Sequence, residues 1–576
     1  MYLRTTPRKN KDGSVVRYVQ LAHNTWDPVM KRSRTEVIYN FGRADEASRA
    51  ALERLAGSLS RFLAGEPAPQ GTLFAAASVG FKYLGGRPFG GTYVLDALWR
   101  RLGIDALLRR LLKGRRRDES AERVLFALVA SRALAPSSKL AAARWASEDV
   151  HIAGLPETTD DACYRAMDWL LLVQGELERE VYHQVANLLN LEVDLLFFDT
   201  TSTYFELDEA DEPVARDERG ELLAVGEGEG EGEAARLAGF RSYGRSKDHR
   251  GDLPQVVVGM AVTREGIPVR VWSWPGNTAD SALIRQVKDD LRGWTLSRLV
   301  WVADRGFASQ ENRRFLRRGD EHYILGEKLR SGSAEAKAAL ARAGRYQEVA
   351  GNLRVKEVRI SEGERFVVCH NPEAAERDAA MRTRLLARLG EMIAGSDKLS
   401  DAKRAELRGV ISTKPGLSRF LRVTPGGLLR VDAEAIASEA KLDGKYLLRS
   451  SDPSLSAEDI ALGYKQLLEV ERGWRDMKQV IDLRPVYHRR EDRIRAHVVL
   501  CWLALLLVRV METTCEQSWP SLRRELQKLQ LGSFEGAAGS FRQRSEITAA
   551  QRAILAKLQL GEPPLLQELT PPAAAS

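Results

Sequence analysis

The spacing of apolar residues changes several times along this chain, and each change predicts a different kind of element. Val15–Leu21 and Glu36–Phe41 are dense in β-branched and aromatic residues and predict two strands joined by a polar loop that contains Pro28. Glu46–Phe62 then predicts a helix, and the Gly/Pro-rich stretch Gly65–Gly71 a linker. Apolar residues next recur at threes and fours in Val94–Leu112, Ala121–Ala133 and Met167–Leu189, with Pro136 and Pro156 as breaks, which predicts an all-α domain. From Val193 the pattern becomes strand-like. Val193–Phe198 is an apolar run that ends at Asp199, and Leu299–Ala303 is a second that ends at Asp304. Both are too apolar for a sheet edge and read as central strands covered on both faces.

Between those runs, Asp208–Glu233 is acidic and closes in a Gly-Glu alternation at Gly226–Glu233, which predicts a disordered loop. Gln255–Val262 and Val269–Trp274 flank Arg264-Glu265-Gly266, a hairpin signal, and a helix is predicted at Ser281–Arg292. Gly326–Ile460 mixes short strands (Leu353–Ile360, Phe366–Cys369, Leu428–Val431, Tyr446–Leu448) with a basic helix, Ala374–Leu389. It reads as a domain inserted on a surface loop. The longest apolar run, Val498–Val508, lies between Arg495 and Arg509 and falls short of the roughly 20 residues a membrane span needs, so it predicts a buried helix.

These changes divide the chain into a β/α module at residues 1–65, a helical domain at 66–190, the first part of an α/β core at 191–325, the insertion at 326–460, the last part of the core at 461–515, and a helical segment with a flexible tail at 516–576. With 576 residues, several domains are expected.

Charge adds a partner. The net formal charge is +8, modest for this length, but it is unevenly placed. Met1–Asn40 carries Arg4, Arg8, Lys9, Lys11, Arg17, Lys31, Arg32 and Arg34 against three acidic residues, and Arg100–Arg117 has Asp105 as its only acid. Clusters of this kind suit phosphate backbones, although a solvated helix face explains either one alone equally well. Cys163, Cys369, Cys501 and Cys515 are scattered without metal-ligand spacing, which fits a reducing cytosol and argues against structural zinc. Met1-Tyr2-Leu3-Arg4 turns polar before any apolar leader forms, so a soluble protein without a membrane partner is expected.

The chemistry concentrates on three carboxylates. Asp199 and Asp304 end the two apolar runs, and each is followed by turn-like residues, Thr200–Thr203 and Arg305-Gly306. Glu471 lies on a predicted helix, Tyr464–Lys478, in which Tyr464, Glu471 and Lys478 fall at i, i+7 and i+14, nearly one stripe. An aspartate at a strand end is ordinarily a cap or turn residue, and Glu471 could simply pair with Arg475 on a solvated face. Taken together, oxygen ligands on two buried strands and a helix suit paired divalent cations on a phosphodiester.

These motifs resemble bacterial insertion-sequence transposases of the DDE class, in the 1634-like branch with a large β-rich insertion before the glutamate. Phe197–Phe205 and Val302–Phe307 resemble the two aspartate motifs, and Tyr243–Gln255 resembles the stretch after the first. Leu483–His488 and Ile494–His497 resemble the stretch beyond the glutamate helix. The family's Tyr-Arg-Glu-Lys signature is matched at Tyr464, Glu471 and Lys478, while Leu467 stands where the arginine is expected, with Lys465, Arg472 or Arg475 as substitutes. The resemblance runs from about Met1 to Met511.

The resemblance implies an RNase H-like catalytic core interrupted by the insertion, preceded by a small β unit and an all-α DNA-binding domain. It implies Mg²⁺, with Mn²⁺ as a substitute, held by Asp199, Asp304 and Glu471, and DNA contacts from Tyr464, Lys478, Arg475, Arg245, Lys247 and Arg250. The implied partners are the element's double-stranded inverted-repeat ends, target DNA and a second copy of the chain, on the bacterial nucleoid in the cytoplasm. Some relatives process strands through a hairpin held on a tryptophan of the insertion. All eleven tryptophans here lie outside Gly326–Ile460, which offers only Tyr346, Phe366, Phe420 and Tyr446. A structure-selective endonuclease and a non-catalytic DNA-binding relic are the competing readings.

Overall fold

A computed structural model describes residues 2–9, 15–27, 32–43, 81–113, 120–189, 195–223, 236–294, 299–361, 364–536 and 539–571. The chain forms two compact units: Met1–Asn190 joined by Asp476–Ser576, and Leu191–Arg475.

The first unit opens with a three-stranded antiparallel meander, Tyr2–Lys9, Val15–Asp27 and Arg32–Arg43. Its last two strands extend the two expected from sequence. The first escaped notice because Arg4-Thr5-Thr6-Pro7-Arg8 offers no apolar alternation. The helix expected at Glu46–Phe62 and the linker at Gly65–Gly71 lie outside the described residues. Helices Gly90–Arg101, Ile104–Lys113, Ser120–Leu134, Lys139–Arg144 and Asp160–Leu189 follow, with a π-helical turn at Trp145–Asp149.

The long helix Glu491–Cys515 packs against Ser120–Leu134 and Asp160–Leu189. By length and composition it could cross a membrane, but its apolar window is 94% buried inside the fold, as a core helix would be. Its buried Arg509 is held by Asp476 and Glu512, each at 2.7 Å.

The expected helical domain at 66–190 and the expected helical segment with a flexible tail at 516–576 both contain helices but also strands. Lys82–Pro88 is a strand that pairs antiparallel with Gln530–Gly536, and Gly539–Arg544 and Leu566–Thr570 complete a four-stranded sheet. The partners are distant in sequence, and Lys82–Pro88 carries two glycines and a proline, so its local pattern reads as loop.

The second unit is built on one nine-stranded sheet. In chain order its strands are β1 (Leu195–Tyr204), β2 (Gln255–Thr263), β3 (Pro268–Pro275), β4 (Val300–Ala303), β5 (His322–Glu327), β6 (Gln347–Ala350), β7 (Leu353–Ser361), β8 (Glu364–His370) and β9 (Lys445–Ser450). Across the sheet the order is β6-β7-β8-β9-β5-β4-β1-β2-β3. β4 runs parallel to both β1 and β5, and every other neighbour is antiparallel. Leu195–Phe198 and Val300–Ala303 are buried throughout, as expected of central strands.

The insertion departs from expectation. Its strands β6–β9 form no separate sheet but extend the core sheet, β9 pairing with β5. The remainder is mainly helical, with Pro372–Ile393 and Asp401–Ser412 around a small core of Leu389, Ile411, Leu417 and Phe420. Three local expectations also change. Thr200–Thr203 is no turn: β1 continues through these residues, three of them β-branched threonines, to Tyr204. Residues 208–223 are folded, because Val214–Arg216 pairs with Arg236–Ala238, Arg241 pairs with Asp211, and buried Arg216 donates to the carbonyls of Ala238 and Gly220. The rest of that acidic stretch, 224–235, lies outside the described residues. Finally, Tyr464 and Lys478 do not share one helix. Ala457–Lys465 ends and Leu468–Gln479 begins, and the Gln466 and Leu467 amides bond back three residues, to Gly463 and Tyr464.

Candidate active site

Asp199 is set within β1, next to the paired strand β4 whose last residue is Ala303. Asp304 follows immediately and caps a single 3₁₀ turn, Arg305–Phe307, its Oδ1 accepting from the Gly306 amide at 2.6 Å. Two apolar strands side by side therefore deliver two carboxylates to one region of the sheet.

The glutamate arrives from the helices. Gly463 rests on Leu195 of β1 and Ile324 of β5, and Gly473 rests on Met260 of β2, where an added Cβ would come within 2.7 Å of the methionine methyl. These close approaches seat both helices on the sheet. Glu471 is exposed on Leu468–Gln479, where Arg475 is also exposed and Lys478 half-buried.

Tyr464 ties the three together. Its ring stacks on Tyr446, centroids 6.0 Å apart, and its hydroxyl lies against Gly326 at the end of β5. The phenol holds its proton well above the usual tyrosine range. Burial is the main cause, followed by the negative charge of Asp304, which Arg305 opposes, and then by Glu471 and Asp199. One hydroxyl is thus within electrostatic reach of all three carboxylates.

Asp199 is itself perturbed, its carboxyl pushed up to about 6. Burial raises it, Lys247 and the Thr200 amide lower it, and Asp304 and Asp280 raise it again. A rise of about two units disfavours the charged form by on the order of 3 kcal/mol, which a nearby cation would offset. Lys247 supplies positive charge at 3.5 Å from Asp199 and 3.4 Å from Asp280.

A cleft of about 1140 Å³ opens beside Asp304, lined by Arg245, Lys247, Asp280, Asp304, Arg305 and Lys328 among others, with Asp199, Tyr464 and Glu471 outside its lining. Sequence reading had singled out Arg245, Lys247 and Asp304. It missed Asp280, Arg305 and Lys328: Asp280 opens a helix and was passed over at a predicted helix start, and no motif marks Lys328. Arg250 is not among the cleft residues; it is paired with Asp252 at 2.8 Å and sits over the Tyr204 ring. Leu467 falls at the break between the two helices.

The donor chemistry suits a hard divalent cation: carboxylate oxygens only, with Asp199 raised chiefly by burial and further by Asp304 and Asp280. Among the described residues, no three His, Cys, Asp or Glu side chains stand close enough to hold a metal ion as a group. The carboxylates therefore fit a cation by type, and holding one requires their side chains to draw in.

Two family models match the chain: the IS1634 family transposase N-terminal domain over residues 3–70, and the transposase DDE domain over residues 234–507. The second match includes Asp304 and Glu471 and begins after Asp199. No curated protein matches. Among solved structures, the piggyBac transposase synaptic complex with hairpin DNA is similar at 11% identity, covering 71% of this chain and 70% of that one with a TM-score of 0.34.

Proposed function

The chain belongs to the IS1634-like insertion-sequence transposases of the DDE class, and from that premise we propose that it binds the inverted-repeat ends of its own element, cuts the DNA there and joins the ends to a target. DDE transposase domains depend on divalent metal. Asp199, Asp304 and Glu471 are the residues that would hold it. The observation that carries this assignment is the placing of Asp199 and Asp304 by paired strands of one sheet, with the Glu471 helix seated on that sheet through Gly473.

The core is RNase H-like in this reading. Its first five strands lie in the order β3-β2-β1-β4-β5, with β2 antiparallel to both β1 and β3 and with β4 and β5 parallel to β1, which supports that assignment. Mg²⁺, with Mn²⁺ as a substitute, would be held by Asp199, Asp304 and Glu471 and would supply Lewis acidity at the reacting phosphate.

The chain's own groups orient the DNA. Asp199 and Asp304 are fixed by buried strands, so their positions change little when the cleft fills. Arg245, Arg305 and Lys328 offer phosphate contacts around it. Tyr464, a proton-bearing phenol, donates a hydrogen bond to a phosphate oxygen without adding charge. Arg475 and Lys478 extend the contacts along the glutamate helix. Arg250 contributes only if it leaves Asp252. Two copies act together on paired ends, in the cytoplasm on nucleoid DNA.

Incubating the full-length protein with the element's own end sequences, a target plasmid and Mg²⁺ tests this reading. Joined products are expected. Cutting without joining would identify a structure-selective nuclease, and binding without cutting a DNA-binding relic.

A further inference from the structure

Four oxygens surround the ammonium of Lys247. It donates to the Thr200 carbonyl at 2.5 Å and to Thr200 Oγ1 at 2.6 Å, and it lies 3.5 Å from Asp199 Oδ1 and 3.4 Å from Asp280 Oδ2. The approach is anchored at its base, where the Lys247 amide donates to Ser202 Oγ at 2.9 Å. Thr200 and Ser202 belong to β1, the strand that carries Asp199, and Asp280 opens the helix Asp280–Asp290. A lysine at the cleft wall is therefore bound by carboxylates from two separate segments.

This arrangement has the makings of a cation site already filled by the chain itself. An ammonium and a divalent ion at Asp199 compete for its single negative charge and repel each other, so metal binding there works against the 3.5 Å contact with Lys247. Asp280, by contrast, reaches the ammonium at 3.4 Å from a separate helix, and can keep it when Asp199 is taken.

We propose that Lys247 is a tethered cation that neutralises Asp199 until divalent metal arrives, and that Asp280 is the seat that retains the ammonium once metal takes Asp199. The proposal rests on Asp199 being a metal ligand. Lys247 and Asp280 are then positioning residues: they set how readily the site accepts metal. The ammonium, once freed from Asp199, remains beside the cleft where a DNA phosphate would lie.

Thermal melts of the full-length chain without DNA, followed by circular dichroism across a Mn²⁺ series, read metal occupancy independently of catalysis. The proposal expects Lys247→Met to melt lower than the native chain without metal, and to reach its half-maximal rise at metal concentrations lower by about tenfold. Asp280→Asn should need more metal than the native chain, and that difference should vanish when Lys247→Met is also present. If Lys247→Met does not fold, Lys247→Gln carries the same expectation and keeps a donor for Thr200.

An unchanged or higher metal requirement in the lysine variant overturns the proposal, as does the absence of any metal response in every variant. An Asp280→Asn effect that persists undiminished in the double variant makes Asp280 a metal ligand itself and overturns its role as a seat. Asp199→Asn keeps the two failures apart. If that variant responds to metal as the native chain does, the metal assignment itself falls, whatever Lys247 shows.

Discussion

Tyr464 and Gly326 touch so closely that a Cβ on the glycine would collide with the tyrosine hydroxyl. The end of β5 and the helix Ala457–Lys465, which precedes the glutamate helix, are thus fitted to each other through a hydroxyl and a bare backbone.

Gly326→Ala should accordingly push the phenol off the carboxylates and lower the cleavage rate, with a stability loss of about 1–3 kcal/mol from overpacking. Combining it with Tyr464→Phe, which removes the colliding oxygen, should recover stability but not the hydrogen bond to DNA. Melting temperatures and single-turnover cleavage of the four combinations check this. Full recovery of cleavage in the double variant would show that the hydroxyl has no part in catalysis.

Lys139 lies in the first unit, buried, with its Nζ 3.2 Å from His497 Nδ1. Burial pushes its pKa down to about 7, with Arg132 adding to the effect. The unfolded chain keeps this proton up to about pH 10.4, so the lysine costs stability fully at and below pH 7, and the cost fades as pH rises toward 10. Lys139→Met should therefore be more stable than the native chain near neutral pH, by an amount that shrinks toward pH 10. Urea unfolding at several pH values measures it. An equal difference at every pH would mean that the folded lysine keeps its proton.

Residues 3–70, matched by the transposase N-terminal domain, include the basic cluster of Met1–Asn40. Removing them should weaken binding to the element's ends and flatten its salt dependence, since each lost phosphate contact reduces the logarithmic slope by about 0.9. Metal-dependent nicking at high protein concentration should persist. Equal affinities and slopes for the two forms across a salt series would show these residues to be solvated surface.

What could be read in advance was local. Asp199 and Asp304 stood out because each ends or interrupts an apolar run dense enough for a buried strand, and Glu471 because of its spacing from Tyr464 and Lys478. The break at Gln466 and Leu467 was hidden because neither residue is a helix breaker. Thr200–Thr203 looked like a turn from its hydroxyls, although its β-branched members favour the strand it forms. The pairing of β9 with β5, and of Lys82–Pro88 with Gln530–Gly536, depends on partners far along the chain and leaves no local mark. Arg216, in a stretch too acidic to suggest a core, is buried by carbonyls that only the folded chain assembles. Asp280 was invisible for a similar reason: its meeting with Lys247 exists only in three dimensions.

The account stands or falls on the three carboxylates. Glu469 is the control, because its side chain lies against the hairpin turn at Gly266 and near Arg472. Cleavage of labelled element ends in Mg²⁺, with binding measured in parallel, should show Asp199→Ala, Asp304→Ala and Glu471→Ala each abolishing cleavage while end binding stays nearly intact, and Glu469→Ala close to native. Near-native cleavage by any of the first three would contradict the assignment at that position.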